Sequence, residues 1–574
     1  MNFQPTLDDI HFLVHEVLNA PAQLQPLPAF ADSDAGLMRQ VVDEAGKFVA
    51  SVIAPLQQVG DQVGCRWVDG EVITPPGFRD AYQAFWRNGW PALACAGEDG
   101  GQGLPVLLEA VLYEMLSGAN HGWTMAPGLL HGAYDCLKHH GSEALKVQYL
   151  EKIASGEWLA TMCMTEAHAG SDLGLLRTQA IAQPDGSYRV SGAKIFISGG
   201  EHDLSDNIVH LVLARLPDAP AGPKGLSLFL VPKWLPDASR NQVLCDRIEE
   251  KMGLHGSPTC SMRFDAASGW IIGLPGQGLN AMFVMMNAAR LHVAMQGLGL
   301  LEAAWQKASA YSQERRQMRA PGARSSREPA DLIALHPAMQ RILQTQRCWI
   351  DGGRLLAYRT AIELDLARQH PDPERRASAQ RWCALTTPVL KAALTQQAFY
   401  GASECLQVFG GHGYIREWGI EQILRDARVT MIYEGTNEIQ AIDLLLRKVL
   451  PDGGAALAGM LEELETELDP GRAADLAVCQ RFAQLKQLTQ AISAAARSDP
   501  ALPYQAADDY LRLLALALLS WAWARIEAAA RPDNKRWQAP AALAQRVLPE
   551  FDMWIKTLTA QCSAAGKRSS DEPS

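Results

Sequence analysis

A chain of 574 residues, 48% hydrophobic and 20% charged, can bury a large core and should divide into several domains. Its formal net charge of −11, with acids and bases intermingled, gives no general attraction to phosphate backbones or anionic lipid, which argues against nucleic acid as the main partner. The 11 cysteines are scattered singly from Cys65 to Cys562 without a C-x-x-C pair, the pattern of reduced thiols in a cytoplasmic protein; neither zinc nor another metal is expected.

The chain opens on "MNFQPTLDDIHFLVHEVL", with acids where a signal peptide needs bases, and residues 1–40 read as an amphipathic helical segment. Apolar spacing such as "LLEAVLYEML" at 107–116 makes 41–160 a helical domain. From 161 to 275 the texture changes to β-rich runs, "SYRVSGAKIFIS", "NIVHLVLARL" and "KGLSLFLVP", separated by Pro, Gly and Asp turns. Long helical patterns rich in Ala, Leu and Arg return at 276–450 and read as an antiparallel bundle. After "LPDGG" at 450–454 a helical extension runs to 565, and the polar tail 566–574 is expected to be disordered. The most apolar stretch, "LLALALLSWAWA" at 513–524, is bracketed by Arg512 and Arg525. It falls short of the roughly 20 residues a bilayer requires, so it reads as a buried helix without stable membrane insertion.

Helices, then strands, then helices, without βαβ alternation, define an α+β chain that is mostly α. No G-x-G-x-x-G follows a strand and no G-x-x-x-x-G-K-[ST] occurs, so any nucleotide cofactor is held by something other than a Rossmann or P-loop site.

Four stretches concentrate unusual polarity. "MCMTEAHAGSD" at 162–172 offers hydroxyls and free backbone N–H groups at a strand end, suited to a polar ring edge or an anion; taken alone it reads as a turn capped by Asp172 or Ser171. "KIFISGG" at 194–200 places Phe196 and Ser198 on one strand face, as any half-buried strand could. "QVFGGHGYIREWG" at 407–419 permits close backbone approach to a ligand, or is a helix C-cap and loop. "MIYEGTNEIQ" at 431–440 delivers a lone carboxylate, Glu434, from a strand-like or buried apolar lead-in to a Gly-Thr turn. Glu434 could there be a helix-start device.

Taken together and in order, "GEDGGQGLP", "MTEAHAGSD", "KIFISGG", "RLHVAMQGLG", "ERRQ", "QVFGGHGY" and "IYEGTNEIQ" make residues 40–450 resemble the acyl-CoA dehydrogenase flavoproteins. The N-terminal segment and the extension resemble its longer branch, which includes 3-methylmercaptopropionyl-CoA dehydrogenases. The resemblance implies an FAD enzyme with an N-terminal helical domain, a central β domain and a C-terminal helical bundle. Such enzymes introduce a trans-2 double bond into an acyl-CoA and pass electrons to electron-transfer flavoprotein.

By the same resemblance Glu434 matches the base that removes the α-proton, and a dry pocket would strengthen it. Gly435 would let substrate pack against backbone beside an N–H that holds the thioester oxygen. Some relatives carry the base just before an arginine on another helix; that position here is Ala289, ahead of Arg290, and alanine accepts no proton. Met162, Met164, Thr165, Gly170 and Ser171 would line the flavin, with Ser171 also near the pantetheine. Phe196 and Ser198 match an aromatic wall and a hydroxyl near N5, where the family often has Trp and Thr. Arg315 with Gln407, Gly410 and Gly411 would hold the FAD pyrophosphate across a subunit contact, which implies a homodimer or homotetramer. Thr436 and Glu438 would complete the FAD site. Arg290 would meet CoA, and Asn287 stands where some relatives have an acid. An acyl-CoA oxidase would share base and flavin. A DNA-associated flavoprotein of the same superfamily would need a basic stripe in the extension, which instead carries "LEELETELD" among dispersed arginines. His139 and His140 read as an exposed helix end, and Arg425, Asp426 and Arg428 as an ion-paired helical face.

Overall fold

The computed structural model describes residues 2–322, 328–538 and 541–571, without the side chains of Asn287, Ala288 and 566–571. The chain divides into two compact units, residues 44–292 with 2–5, and residues 6–43 with 293–574.

In the first unit, α1 (Val106–Thr124) carries apolar residues all round and is buried almost throughout, as such a helix must be. It kinks at Asn120, whose side chain accepts the Trp123 N–H. α2 (Leu130–His140) follows and ends on the two exposed or half-exposed histidines. A small hairpin, β1 (Arg66–Val68) and β2 (Glu71–Ile73), precedes them in the chain. The β domain consists of β3 (Leu159–Cys163), β4 (Gln179–Ala182), β5 (Tyr188–Ser198), β6 (Ile208–Arg215), β7 (Leu226–Pro232), β8 (Val243–Ile248) and β9 (Thr259–Ile272). β6 pairs β3 and then β4 in parallel on one edge and β7 antiparallel on the other. The path continues through β9 and β5 back to β4, with β8 added on β9, so the sheet closes on itself. Its interior holds Cys163, Val190, Val212, Phe229, Val231, Met262 and Phe264. β6 and β7 are buried along nearly their whole length, which explains why their sequences are continuous apolar runs rather than alternating ones.

The second unit begins within α3 (Gly278–Glu314) at Val293 and contains α4 (Pro337–Gln369), α5 (Pro373–Val408), α6 (Ile420–Arg428) and α7 (Asn437–Ile442). The extension adds α8 (Ala455–Glu465), α9 (Ala473–Ala495), α10 (Leu502–Ala529) and α11 (Pro549–Asp571). α11 carries helical backbone through Asp571, into the tail expected to be disordered; 572–574 lie outside the described residues. The stretch 513–524 is the buried middle of α10, which packs on α4, α5 and α7. Gly352 of α4 makes room for Leu519 and Trp523. The Trp523 indole donates to the Cys348 carbonyl (2.9 Å), and the Arg359 guanidinium lies between Trp382 (4.5 Å) and Trp521 (4.9 Å) of bundle and extension. Among the described residues no helix is long and apolar enough to cross a membrane.

The N-terminal helical turns also belong to this unit. Asp9 pairs with Arg536 (2.7 Å), and Phe12 stacks on Trp537 (4.5 Å). Arg536 reaches on to Asp351 of α4 (2.7 Å), which Arg347 also holds (2.5 Å). Burial alone would raise the Asp351 carboxyl, but the two guanidinium groups outweigh it and hold the pKa at about 2 instead of 3.8. Its contribution to stability is therefore complete above about pH 4 and is lost as the pH falls toward 2. Asp351→Asn takes the shared carboxylate from Arg347 and Arg536, which keep Glu302 (2.9 Å) and Asp9 (2.7 Å), and urea denaturation at pH 7 should show a loss of about 1–3 kcal/mol.

Candidate active site

Glu434 sits in a turn of unusual backbone. The lead-in is a 3₁₀ turn, Val429–Met431, followed by the half-exposed Ile432, and not the strand-like or buried segment expected. Glu434 and Gly435 both have positive φ, +53° and +81°. The φ of Gly435 is what requires glycine there; an added Cβ would also fall 2.6 Å from Gln440 Nε2 and displace that amide from the turn. Thr436 then caps α7, its hydroxyl accepting the Ile439 N–H. The helix-start duty thus falls to Thr436 and leaves Glu434, half-buried two residues earlier, for another role.

The turn's carbonyls are held from beneath. Gln440 Nε2 donates to the Glu434 carbonyl (3.1 Å), and Lys391 Nζ donates to the Gly435 carbonyl (2.8 Å) and to Asn437 Oδ1 (2.9 Å). The preceding Tyr433 donates its hydroxyl to Gln296 Oε1 (2.6 Å), and burial pushes its own pKa well up. Glu438 lies exposed in the first turn of α7. Lys391 and Gln440 escaped sequence reading; an isolated lysine in the apolar run "VLKAALTQQ" was the available signal.

In the same unit α5 ends at Val408, and Gln407, Gly410 and Gly411 are exposed. Gly410 has φ +58°, and both glycines face open space. Arg315 is exposed just past the end of α3. A cluster of rings joins these two places: Tyr311 stacks on Phe409 (4.4 Å), its hydroxyl meets His412 Nδ1 (2.9 Å), and His412 stacks on Trp418 (4.6 Å). Tyr414 and Ile415 beyond it are exposed, Tyr414 by 86%. The expected ion-paired face at 425–428 is present in part. Arg425 pairs with Glu421 (2.5 Å), but Asp426 is buried and receives the Gln422 amide, and Arg428 lies over the Phe399 ring.

The first unit holds the other candidates. Met162 is buried in β3, Met164 and Thr165 are half-buried beyond its end, and Gly170 and Ser171 are exposed. Asp172 caps the next turn by accepting the Gly174 N–H, so the capping role is real and is filled by Asp172. The loop is anchored by Glu166, which sequence reading passed over. Its carboxylate accepts from Lys194 Nζ (2.9 Å), the Thr178 hydroxyl (2.6 Å) and the Arg177 and Thr178 N–H groups, while Lys194 also donates to the Met164 carbonyl. Burial would raise the Glu166 carboxyl, but Lys194 and these donors hold it at about 2. Two residues after Lys194 the strand is irregular: Phe196 has φ +59° and lies 61% exposed, with the half-buried Ser198 paired opposite Thr259. The bulge turns an aromatic face outward beside a hydroxyl. Arg290 and Ala289 are buried on α3, while the Asn287 side chain lies outside the described residues.

Within the first unit an outward aromatic ring and a hydroxyl-bearing loop suit a flat heteroaromatic group, and within the second an exposed guanidinium and an open glycine pair suit a pyrophosphate. Comparisons with known proteins agree. Residues 38–157, 161–267 and 276–449 match the N-terminal, middle and C-terminal domains of acyl-CoA dehydrogenases. The chain is 39% identical over its full length to 3-methylmercaptopropionyl-CoA dehydrogenase of Ruegeria pomeroyi, covering 98% of that protein. Among solved structures it is similar to an acyl-CoA dehydrogenase complexed with FAD from Bacillus anthracis (TM-score 0.71, 20% identity, 94% of this chain and 89% of that one). It is also similar to a chain in a structure of the electron transferring flavoprotein of Acidaminococcus fermentans (TM-score 0.59, 26% identity, 71% of this chain and 96% of that one).

Lys194→Met strips the buried Glu166 of its cation. It should destabilise the first unit by about 3–5 kcal/mol and speed proteolysis within 164–172. Adding Glu166→Gln should recover part of the loss in the same denaturation assay, because no buried charge is then left unmatched.

Proposed function

The chain belongs to the acyl-CoA dehydrogenase family of FAD-binding oxidoreductases, and from that premise we propose that it converts acyl-CoA thioesters to trans-2-enoyl-CoA with Glu434 as the base. The observation that carries this reading is the left-handed turn that sets Glu434 apart from the helix cap supplied by Thr436. When bound, FAD accepts the β-hydrogen with its electron pair as a hydride.

The chain's own residues do the rest. Glu434 takes the α-proton, a transfer that needs one positioned carboxylate. The Glu434 N–H stabilises the charge that develops on the thioester oxygen as the α-proton leaves. Gly435 keeps that approach free of a side chain. Met162, Met164, Thr165, Gly170, Ser171, Phe196 and Ser198 hold the flavin. Arg315, Gln407, Gly410 and Gly411 take the pyrophosphate, and Thr436 and Glu438 complete the cofactor's contacts. Ser171, Asn287 and Arg290 bind CoA.

The exposed Arg315, the open glycine pair and the exposed Tyr414 and Ile415 support a homodimer or homotetramer in which this surface meets a second copy. Electron-transfer flavoprotein is the proposed acceptor, and the cytoplasm the proposed compartment.

Glu434→Gln keeps shape and hydrogen-bonding reach but accepts no proton. The variant should retain FAD and acyl-CoA affinity yet reduce flavin about 10²–10⁴-fold more slowly under anaerobic stopped-flow. A loaded variant with undiminished reduction refutes the assignment. The acyl-CoA panel for that assay begins with 3-methylmercaptopropionyl-CoA, and slow re-oxidation in air separates a dehydrogenase from an oxidase. Light scattering should return a dimer or tetramer, whereas a monomer with full FAD and activity would overturn the assembly.

A further inference from the structure

The buried lysine beneath the catalytic turn is not part of the proton transfer itself, yet it touches the peptide that follows the base. Lys391 is 0% exposed on α5. Its ammonium donates to the Gly435 carbonyl (2.8 Å) and to Asn437 Oδ1 (2.9 Å). Asn437, the first residue of α7, is itself fixed to α5: its amide donates to the Ala392 carbonyl (3.1 Å), and Thr395 Oγ1, one turn beyond Lys391, lies 3.2 Å from its Oδ1. Gln440 Nε2 donates to the adjoining Glu434 carbonyl (3.1 Å) and reaches the Gly435 carbonyl more weakly (3.4 Å), so Lys391 supplies the shorter of two bonds there.

Two successive residues with positive φ are costly for the non-glycine member, and the conformation lasts only where surrounding contacts over-determine it. Here the two side-chain donors are among the contacts that do so. We propose that Lys391 is a positioning residue for the dehydrogenation: by holding the Gly435 carbonyl it locks the left-handed turn and thereby sets the direction of the Glu434 carboxylate and N–H. This rests on Glu434 being the base. A hydrogen bond from a side chain with no exposed surface meets no competition from water, which suits a task of alignment. Sub-ångström errors at a reacting centre matter: a misplacement of about 1 Å can cost on the order of 10²-fold in rate.

A double-mutant cycle tests it. Lys391→Met removes the donor and keeps most of the bulk. The variant should bind FAD and acyl-CoA within about threefold of the parent and reduce flavin about 10²-fold more slowly under anaerobic single-turnover conditions. In a Glu434→Gln background the same substitution should add almost no further slowing, because the group it aligns is already inactive. A wild-type rate for Lys391→Met, or an equal slowing with and without Glu434, overturns the proposal. Should Lys391→Met lose FAD, Gln440→Met removes the neighbouring donor, and the same cycle then decides: coupling to Glu434 sustains the alignment role and independence overturns it. Failure of the base assignment shows separately, as a Glu434→Gln enzyme that still reduces its flavin at the parental rate.

Discussion

The geometry at Glu434 and Gly435 depends on a backbone that L-residues rarely adopt. A glutamate at φ +53° costs on the order of 1–3 kcal/mol relative to ordinary backbone, and Gly435 at +81° continues the turn only because it lacks a side chain. What holds the pair is the inventory of donors below it, Lys391 and Gln440, each reaching a carbonyl that α7 leaves unused. Those donors are only as fixed as their helices. α5 is packed against α4, and α10 lies on both, with Trp523, Trp521 and Gly352 at the contact. The extension is thus tied to the site directly, since α10 also packs on α7, and its apolar content serves the bundle.

A similar solution appears in the β domain under a different loop. Residues 164–172 have few backbone partners of their own kind, and Glu166 with Lys194 replaces them, accepting or donating at Thr178, Arg177 and Met164. A buried ion pair contributes little by itself, since desolvation offsets much of the attraction. Its value here is directional: the pair ties the loop that carries Thr165 and Ser171 to Arg177 and Thr178 through Glu166 and to β5 through Lys194. In both places a buried lysine donates to a backbone carbonyl of an irregular segment, Gly435 in one and Met164 in the other.

Much of this was legible beforehand because the signals are local. The continuous apolar runs at 207–216 and 224–232 became fully buried strands, the Ala-rich stretch from 280 became one long helix, and the Arg-bracketed apolar segment became the core of α10. The motif segments identified the family because their Gly, Thr and Ser positions stand in the family's order along the chain. The reading failed where a residue's state depends on depth. Asp426, one of three residues expected on an ion-paired helical face, is buried, and the approach to Glu434 is a 3₁₀ turn, because period and composition do not record which face another helix covers.

The sequence by itself determined the order of helices and strands, the positions of the turns, and the family, since helix and strand periodicity and turn chemistry are written within a few residues of one another. The tertiary structure alone decided which distant groups meet. Lys391 reaches a carbonyl 44 residues away and Lys194 a carboxylate 28 residues away. Arg536 closes on Asp9 across 527 residues, joining the first helical turns to the extension. No local pattern encodes such pairings: a charged side chain with no water around it takes whichever partner the packed backbone brings within about 3 Å, and that choice exists only once the core has formed.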